Sequence, residues 1–122
     1  MSQILIVDDS QIIHRTLSLI VRKIGHSTLH AASGMEALDL IETQTVDLAI
    51  IDMNMPGMNG LVLVENIRTR GHSRQLPIIF LTGSGREKDQ QSALELGVDN
   101  FLQKPVSSHQ LREVINRLLP QS

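Results

Sequence analysis

Short apolar runs alternate along the chain with longer stretches in which apolar residues recur every three or four positions. That alternation predicts strand and helix units wound around a parallel sheet. The runs are Gln3–Val7, Ser27–Ala31, Val46–Ile51, Pro77–Leu81 and Asn100–Gln103. Ile4–Val7, Val46–Ile51 and Ile78–Leu81 are nearly continuous in apolar residues, as strands covered on both faces are. Ser27–Ala31 is more polar, which predicts an edge position. The run around Phe101-Leu102 is short and takes its strand assignment from its neighbours.

The helical stretches carry their own start and stop signals. Ser10 is placed to cap a helix with Ile13, Leu17, Ile20, Val21 and Ile24 on one face, ending at Gly25. Ser33 and Glu36 form a capping-box pattern ahead of Ala37, Leu38 and Ile41, and Ser84 and Glu87 repeat it ahead of Ala93, Leu94 and Leu96, with Gly97 as the stop. Gly60 opens a helix with Leu61, Val64 and Ile67, and Gly71 lies just beyond it. Ser107 and Gln110 precede Leu111, Val114, Ile115 and Leu118, and Pro120 ends the pattern. Five strands and five helices account for nearly every residue. They predict a doubly wound α/β sandwich and one domain over 1–122, with an ordered core of about 3–119.

Composition agrees with one domain. The chain has 122 residues, 41% of them hydrophobic, enough for a single core and little more. Its formal net charge of -2 comes without a basic tail or an aromatic-interleaved basic patch, so direct nucleic-acid binding is not expected. The absence of Cys removes disulfides, thiolate chemistry and cysteine metal ligands. No signal-peptide pattern follows Met1, and no apolar run reaches membrane-spanning length, so the expected location is the cytoplasm, away from membranes.

In an open parallel sheet, ligands bind beyond the carboxyl ends of the strands. The chain concentrates its unusual polar residues there: Asp8-Asp9 after the first strand, Asp52 after the third, Thr82 after the fourth and Lys104-Pro105 after the fifth. Any one of these aspartates alone is as well explained by turn or cap chemistry. Three carboxylates brought together by adjacent strands repel one another, and a cation resolves this. Magnesium suits oxygen ligands and commonly shares carboxylates with phosphate. Asp9 and Asp52 are the expected direct ligands, Asp8 is direct or acts through water, and the carbonyl of Asn54 completes the set. The hydroxyl of Thr82 and the ammonium of Lys104 would suit the oxygens and charge of a phosphoryl group. The Lys104-Pro105 bond is a candidate for the cis form against the usual trans preference. Met53, Met55 and Met58 flank Asp52, with Met55 expected to pack locally beneath it. The histidines, His14, His26, His30, His72 and His109, show no metal-ligand spacing; His14 reads as an exposed helical residue or as a group that helps dock a partner.

Together these pieces resemble the receiver domain of two-component response regulators, in particular the stand-alone chemotaxis type. The matching segments are Ile-Leu-Ile-Val-Asp8-Asp9-Ser10, Asp52-Met-Asn-Met-Pro56-Gly-Met-Asn-Gly60, Phe80-Leu-Thr82-Gly83 and Lys104-Pro105, over a span from about Gln3 to Leu119. The chemotaxis receiver is itself a standing example of the site-placement rule used above, so that placement is not independent of the resemblance. The resemblance implies a flavodoxin-like sheet of order 2-1-3-4-5 flanked by five helices. It implies that Asp52 accepts a phosphoryl group from a sensor histidine kinase or histidine phosphotransfer protein, with Mg2+, or Mn2+ in its place. The protein would promote its own phosphorylation and dephosphorylation rather than turn over a substrate. Lys104, Thr82 and the Gly83 N–H would meet phosphoryl oxygens. Asn54 and Ser84 stand where the lifetime of the acyl phosphate is set, and Thr82 and Phe101 match the switch positions. The output face would be the fourth helix, fifth strand and fifth helix, where Gln90, Gln91, Gln103 and Gln110 are polar but uncharged and where Arg112 and Arg117 are available to a partner. Gln110 and Val114 stand where charged pairs would support a symmetric dimer, so a monomer or weak dimer is expected.

Other readings fit less well. A haloacid-dehalogenase type phosphatase wants an aspartate where Asn54 stands, and a dinucleotide site wants glycines where Asp8-Asp9-Ser10 stands. An adaptor that keeps the site but signals by binding alone is a further alternative. Met1 and the short tail after the fifth helix point to a stand-alone protein, although the amino-terminal module of a longer regulator would look the same.

Overall fold

The computed structural model describes residues 2–83 and 87–119. Five strands, β1 (Gln3–Val7), β2 (Ser27–Ala31), β3 (Leu48–Asp52), β4 (Ile78–Thr82) and β5 (Asn100–Gln103), alternate with α1 (Gln11–Lys23), α2 (Gly34–Thr43), α3 (Gly60–Arg68), α4 (Glu87–Glu95) and α5 (Ser108–Leu118). A single 3-10 turn at Gly71–Ser73 follows α3. The strands form one parallel sheet in the order β2-β1-β3-β4-β5, with the polar β2 at an edge as its composition predicts.

The pleat divides the core into two layers. Ile4, Ile6, Leu48, Ile50, Ile79, Leu81 and Leu102 pack with Leu17 and Val21 of α1 and Leu111, Val114 and Ile115 of α5. Leu5, Val7, Ala49, Ile51, Ile78 and Phe80 pack with apolar residues of α2, α3 and Ala93 of α4. Both faces of β1, β3 and β4 are therefore covered, which is why their sequences are continuous in apolar residues.

Helix starts follow the expected chemistry. The Ser10, Ser33 and Ser107 hydroxyls accept from the N–H groups of Ile13, Glu36 and Gln110, and Asn59 does the same for Val62. The return bond at α2 runs one residue further back than the standard box, since the Glu36 carboxylate accepts from Ala32 N–H at 3.1 Å. Ser84, expected to cap α4, lies outside the described residues. Gly25 and Gly97 close α1 and α4 at positive φ, 92° and 76°.

Two strand starts shift from expectation, each by one or two residues. β3 begins at Leu48 because Asp47 turns its carboxylate onto the N–H of Gln3 at 2.8 Å. β4 begins at Ile78 because Pro77 has no N–H for the ladder, although its carbonyl still accepts from Ala49 at 3.0 Å. At the other ends Asp52 and Thr82 are the last strand residues rather than the first loop residues. Their main chains are thus fixed by the sheet.

Candidate functional site

Register builds the site. Val7 pairs with Ile51, so Asp8 follows β1 at the level where Asp52 ends β3. Asp52 pairs with Leu81, which sets Thr82 one step beyond, and Lys104 N–H donates to the Thr82 carbonyl at 2.8 Å. The pleat gives Asp8, Asp52 and Lys104 the parity of Ile6, Ile50 and Leu102, on the α1 and α5 side. Thr82 and Phe101 share the parity of Phe80, on the opposite side.

Asp8 is fully buried and Asp52 and Thr82 nearly so, whereas Asp9 is exposed. Asp8 Oδ1 accepts from Ser10 N–H at 2.9 Å. Asp8 Oδ2 is buried without an aligned hydrogen-bond donor, and its contact is ionic, to Lys104 Nζ at 3.1 Å. The same ammonium lies 3.4 Å from Asp52 Oδ1, which also accepts from Asn54 N–H at 3.2 Å. Burial raises the proton affinity of Asp52; the Asn54 N–H opposes this, the Asp8 charge adds to it and Lys104 offsets part. Burial works to lower the Lys104 value, but its close pairing with Asp8 and the charges of Asp52 and Asp8 outweigh it and the net direction is up. The ammonium therefore stays charged at neutral pH.

Oxygens of Asp8, Asp9 and Asp52 lie within 4.8 Å of one another. Three hard oxygen donors converging beside a buried carboxylate oxygen with no aligned donor fit a small divalent cation such as Mg2+. Asn54 is exposed directly after the nearly buried Met53, where its carbonyl is free of the strand ladder. Gly83 is exposed at the end of β4, and the Lys104-Pro105 bond is cis.

The surroundings hold the β3 end in place. Gly60 N–H donates to the Met53 carbonyl at 3.0 Å, and a Cβ at Gly60 would come within 2.8 Å of both the Asp52 carbonyl oxygen and Met53 Cα. Met53 and Met55 are buried in the core, which agrees with local packing, and Met58 lies against Gly34. Phe101 is half-buried, with its ring centroid 6.4 Å from that of Phe80. His14 departs from the first of its two expected readings, that of an exposed helical residue. It is half-buried, with one ring nitrogen on the Asp8 carbonyl and the other on His30. Spacing along the chain carried no sign of this pair, because α1 and β2 bring the two residues together only in the fold.

No helix among the described residues is long and apolar enough to cross a membrane. The chain is 42% identical over 114 residues to the Regulator of RpoS of Escherichia coli K12, a match covering 93% of this chain but about a third, 33%, of that protein. It is 36% identical over 119 residues to a chemotaxis protein CheY homolog of Campylobacter jejuni, covering 96% of this chain and 92% of that one. Among solved structures, Vibrio cholerae chemotaxis protein CheY4 superposes with a TM-score of 0.92 at 31% identity, over 98% of this chain and 99% of that one. The receiver domain of a signal transduction histidine kinase from Syntrophus aciditrophicus gives 0.89 at 34% identity, over 98% and 90%. The response regulator receiver domain family model matches residues 4–116. With its order of strands and its acidic cluster in place, the chain belongs to the response regulator receiver domain family, whose function is to accept a phosphoryl group at a Mg2+-binding aspartate site.

Proposed function

We propose that Asp52 is the nucleophile and that a histidine kinase or histidine phosphotransfer protein is the donor. The observation that carries this is the shared ammonium: Lys104 Nζ sits 3.1 Å from Asp8 and 3.4 Å from Asp52, at a cluster of three carboxylates. A carboxylate oxygen of Asp52 attacks phosphorus as the bond from phosphorus to imidazole nitrogen breaks, and the imidazole leaves with the electron pair. The Asn54 N–H and the Lys104 ammonium both meet Asp52 at Oδ1, which leaves Oδ2 for this attack. Lys104 pairs with one phosphoryl oxygen, and the Thr82 hydroxyl and Gly83 N–H donate to others. Mg2+ bound by Asp8, Asp9, Asp52 and the Asn54 carbonyl would offset the charge that gathers on those oxygens. Water later attacks the acyl phosphate, releasing inorganic phosphate and restoring the carboxylate. Asn54 and Ser84, the two positions that the resemblance to the family marks for this step, set its rate.

The output is a shift between two packings. Thr82 moves toward the phosphoryl group and Phe101, on the same side of the sheet, turns into the space it leaves. The partner binds at α4, β5 and α5. This surface carries the exposed Gln91, Leu94, Gln103 and Gln110, beside Arg112 and Arg117, and Val114 is buried beneath it. Lacking charged pairs at Gln110 and Val114, the chain acts as a monomer or weak dimer.

Intact-mass spectrometry after incubation with acetyl phosphate and Mg2+ tests the acceptor. The expected result is one added phosphoryl group on the parent and none on Asp52→Ala. No gain on the parent, under conditions that label another receiver, would make the chain an adaptor that signals by binding alone. The match to a third of the Regulator of RpoS supports a second context, a receiver module within a longer regulator. The mass of the native protein isolated from its cell separates the two contexts.

A further inference from the structure

His14 and His30 have no part in the phosphoacceptor chemistry, yet their rings reach it. His14 Nε2 lies 2.7 Å from the main-chain carbonyl oxygen of Asp8, and His14 Nδ1 lies 2.8 Å from His30 Nδ1. His30 Nε2 lies 3.2 Å from Ser18 Oγ and 3.1 Å from Thr28 Oγ1. A carbonyl oxygen only accepts, so the His14 proton sits on Nε2. The neutral ring then accepts at Nδ1, which puts the His30 proton on its own Nδ1. His30 Nε2 in turn accepts from the hydroxyls of Ser18 and Thr28. With both rings neutral, one direction of donation satisfies every atom, from the hydroxyls through His30 and His14 to Asp8.

The Asp8 carbonyl needs this donor. Asp8 is fully buried and lies past the end of β1, and among the described residues no main-chain N–H outside the regular elements donates to its carbonyl. A buried carbonyl without a donor is costly, so His14 fills the place that a ladder N–H would take. Partial burial of an otherwise exposed ring, then the nearness of His14 and Arg22, holds His30 below the ordinary histidine range, which favours the neutral ring that the chain requires.

We propose that His14 and His30 are positioning residues of the phosphoacceptor site: their directed hydrogen-bond chain fixes the Asp8 main chain and thereby the orientation of the Asp8 and Asp9 carboxylates. The pair also lines an open groove of about 740 Å³ shared with Asp9 and Glu36, so solvent reaches the relay from the β2 edge. This inference rests on the placement of the cation by Asp8 and Asp9 and does not need Asp52 to be phosphorylated.

Long-range nitrogen-proton NMR of the labelled, metal-free protein reads the tautomers directly. The expected result is a proton on Nε2 of His14 and on Nδ1 of His30, the second being the minority form of a free imidazole. The same tautomer on both rings overturns the proposal. Mg2+ titration, followed by amide shifts, reads the consequence. His14→Phe keeps the ring volume without the donor and should weaken Mg2+ binding about tenfold, in the range lost with outer-shell partners of metal sites. His14→Gln, whose amide N–H reaches the same carbonyl, should restore most of the affinity, a recovery that a merely packing role would not produce. A folded His14→Phe that binds Mg2+ within about twofold of the parent sinks the proposal and leaves the phosphoacceptor assignment standing. Failure of the parent to take up phosphate, with the tautomers and the Mg2+ effect as expected, overturns the Asp52 assignment and leaves the positioning role intact.

Discussion

Aspartates occupy both ends of this sheet, and they live under opposite conditions. At the amino end, Asp47 donates its N–H to the Gln3 carbonyl at 2.9 Å and accepts the Gln3 N–H on its carboxylate at 2.8 Å. Asp99 does the same to Ile78, at 2.9 and 2.8 Å. Each closes the start of a neighbouring strand with two reciprocal bonds. At the carboxyl end, Asp8 and Asp52 face one another across a single shared ammonium, and Asp8 Oδ2 has no aligned donor at all. The residue type is the same, but one end is satisfied by the protein's own backbone and the other is built to be completed by something from outside. Satisfaction of hydrogen-bonding capacity separates a structural aspartate from a functional one more sharply than burial or position does.

The largest expected effect breaks this comparison if it is wrong. Asp99→Ala and Asp47→Ala should each cost about 1–3 kcal/mol of stability, as loss of a hydrogen bond to a charged group does, while labelling by acetyl phosphate continues. Asp52→Ala should abolish labelling and leave the fold intact. Urea denaturation beside the mass measurement separates the two classes. Loss of labelling in a folded Asp99→Ala protein would mean that the amino end is not merely structural.

Much of this was legible in the residues. Continuous apolar runs gave the inner strands, polar Ser27–Ala31 gave the edge, and the aspartates at the carboxyl ends of β1 and β3 gave the acidic cluster. The amino-end clasps were harder to see, although Val46-Asp47 and Val98-Asp99 repeat one dipeptide just before β3 and β5. Val46 and Asp47 read as strand because the run is apolar on both sides of Asp47. The clasp depends on pairing with a strand more than forty residues away, as the Gln3 to Asp47 separation of 44 shows. Likewise His14 gave no sign of its partner, since helix period describes one element and the contact belongs to two. Local pattern fixes elements and their ends; hydrogen bonds between distant segments need the fold.

A smaller effect sharpens the electrostatics of the carboxyl end. The folded protein raises the Lys104 value above the ordinary 10.5, so it binds that proton more tightly than the unfolded chain. The resulting stability is fully present below 10.5 and is lost as pH rises through the folded value. In metal-free buffer the parent should therefore lose stability at alkaline pH by an increment that Lys104→Met does not show, read as the difference in urea midpoints at pH of about 8 and about 11. An identical alkaline loss in both proteins would remove Lys104 as the counter-charge of Asp8 and Asp52.

The smallest effect has the opposite sign. Asp52 is raised above 3.8, chiefly by burial and further by Asp8, so between 3.8 and its folded value the native state holds more protons than the unfolded chain. Stability contributed by this group therefore falls as pH rises through that window, and above it the whole penalty for the buried charge remains. Asp52→Asn removes the charge while keeping the shape, and should stabilise the metal-free protein at neutral pH by about 1 kcal/mol, a common gain when a functional strain is relieved. The advantage should shrink toward zero as pH drops below 3.8, where Asp52 is protonated in both states. Saturating Mg2+ should reverse it, because a ligand at a hundred times its dissociation constant stabilises the state that binds it by about 2.7 kcal/mol, and Asp52→Asn has lost one of the binding carboxylates. Thermal melts at neutral and acid pH, with chelator and with Mg2+, measure all of these comparisons. A metal-free Asp52→Asn protein less stable than the parent at neutral pH would show that Lys104 already satisfies the carboxyl end, and the contrast between the two ends of the sheet would fail.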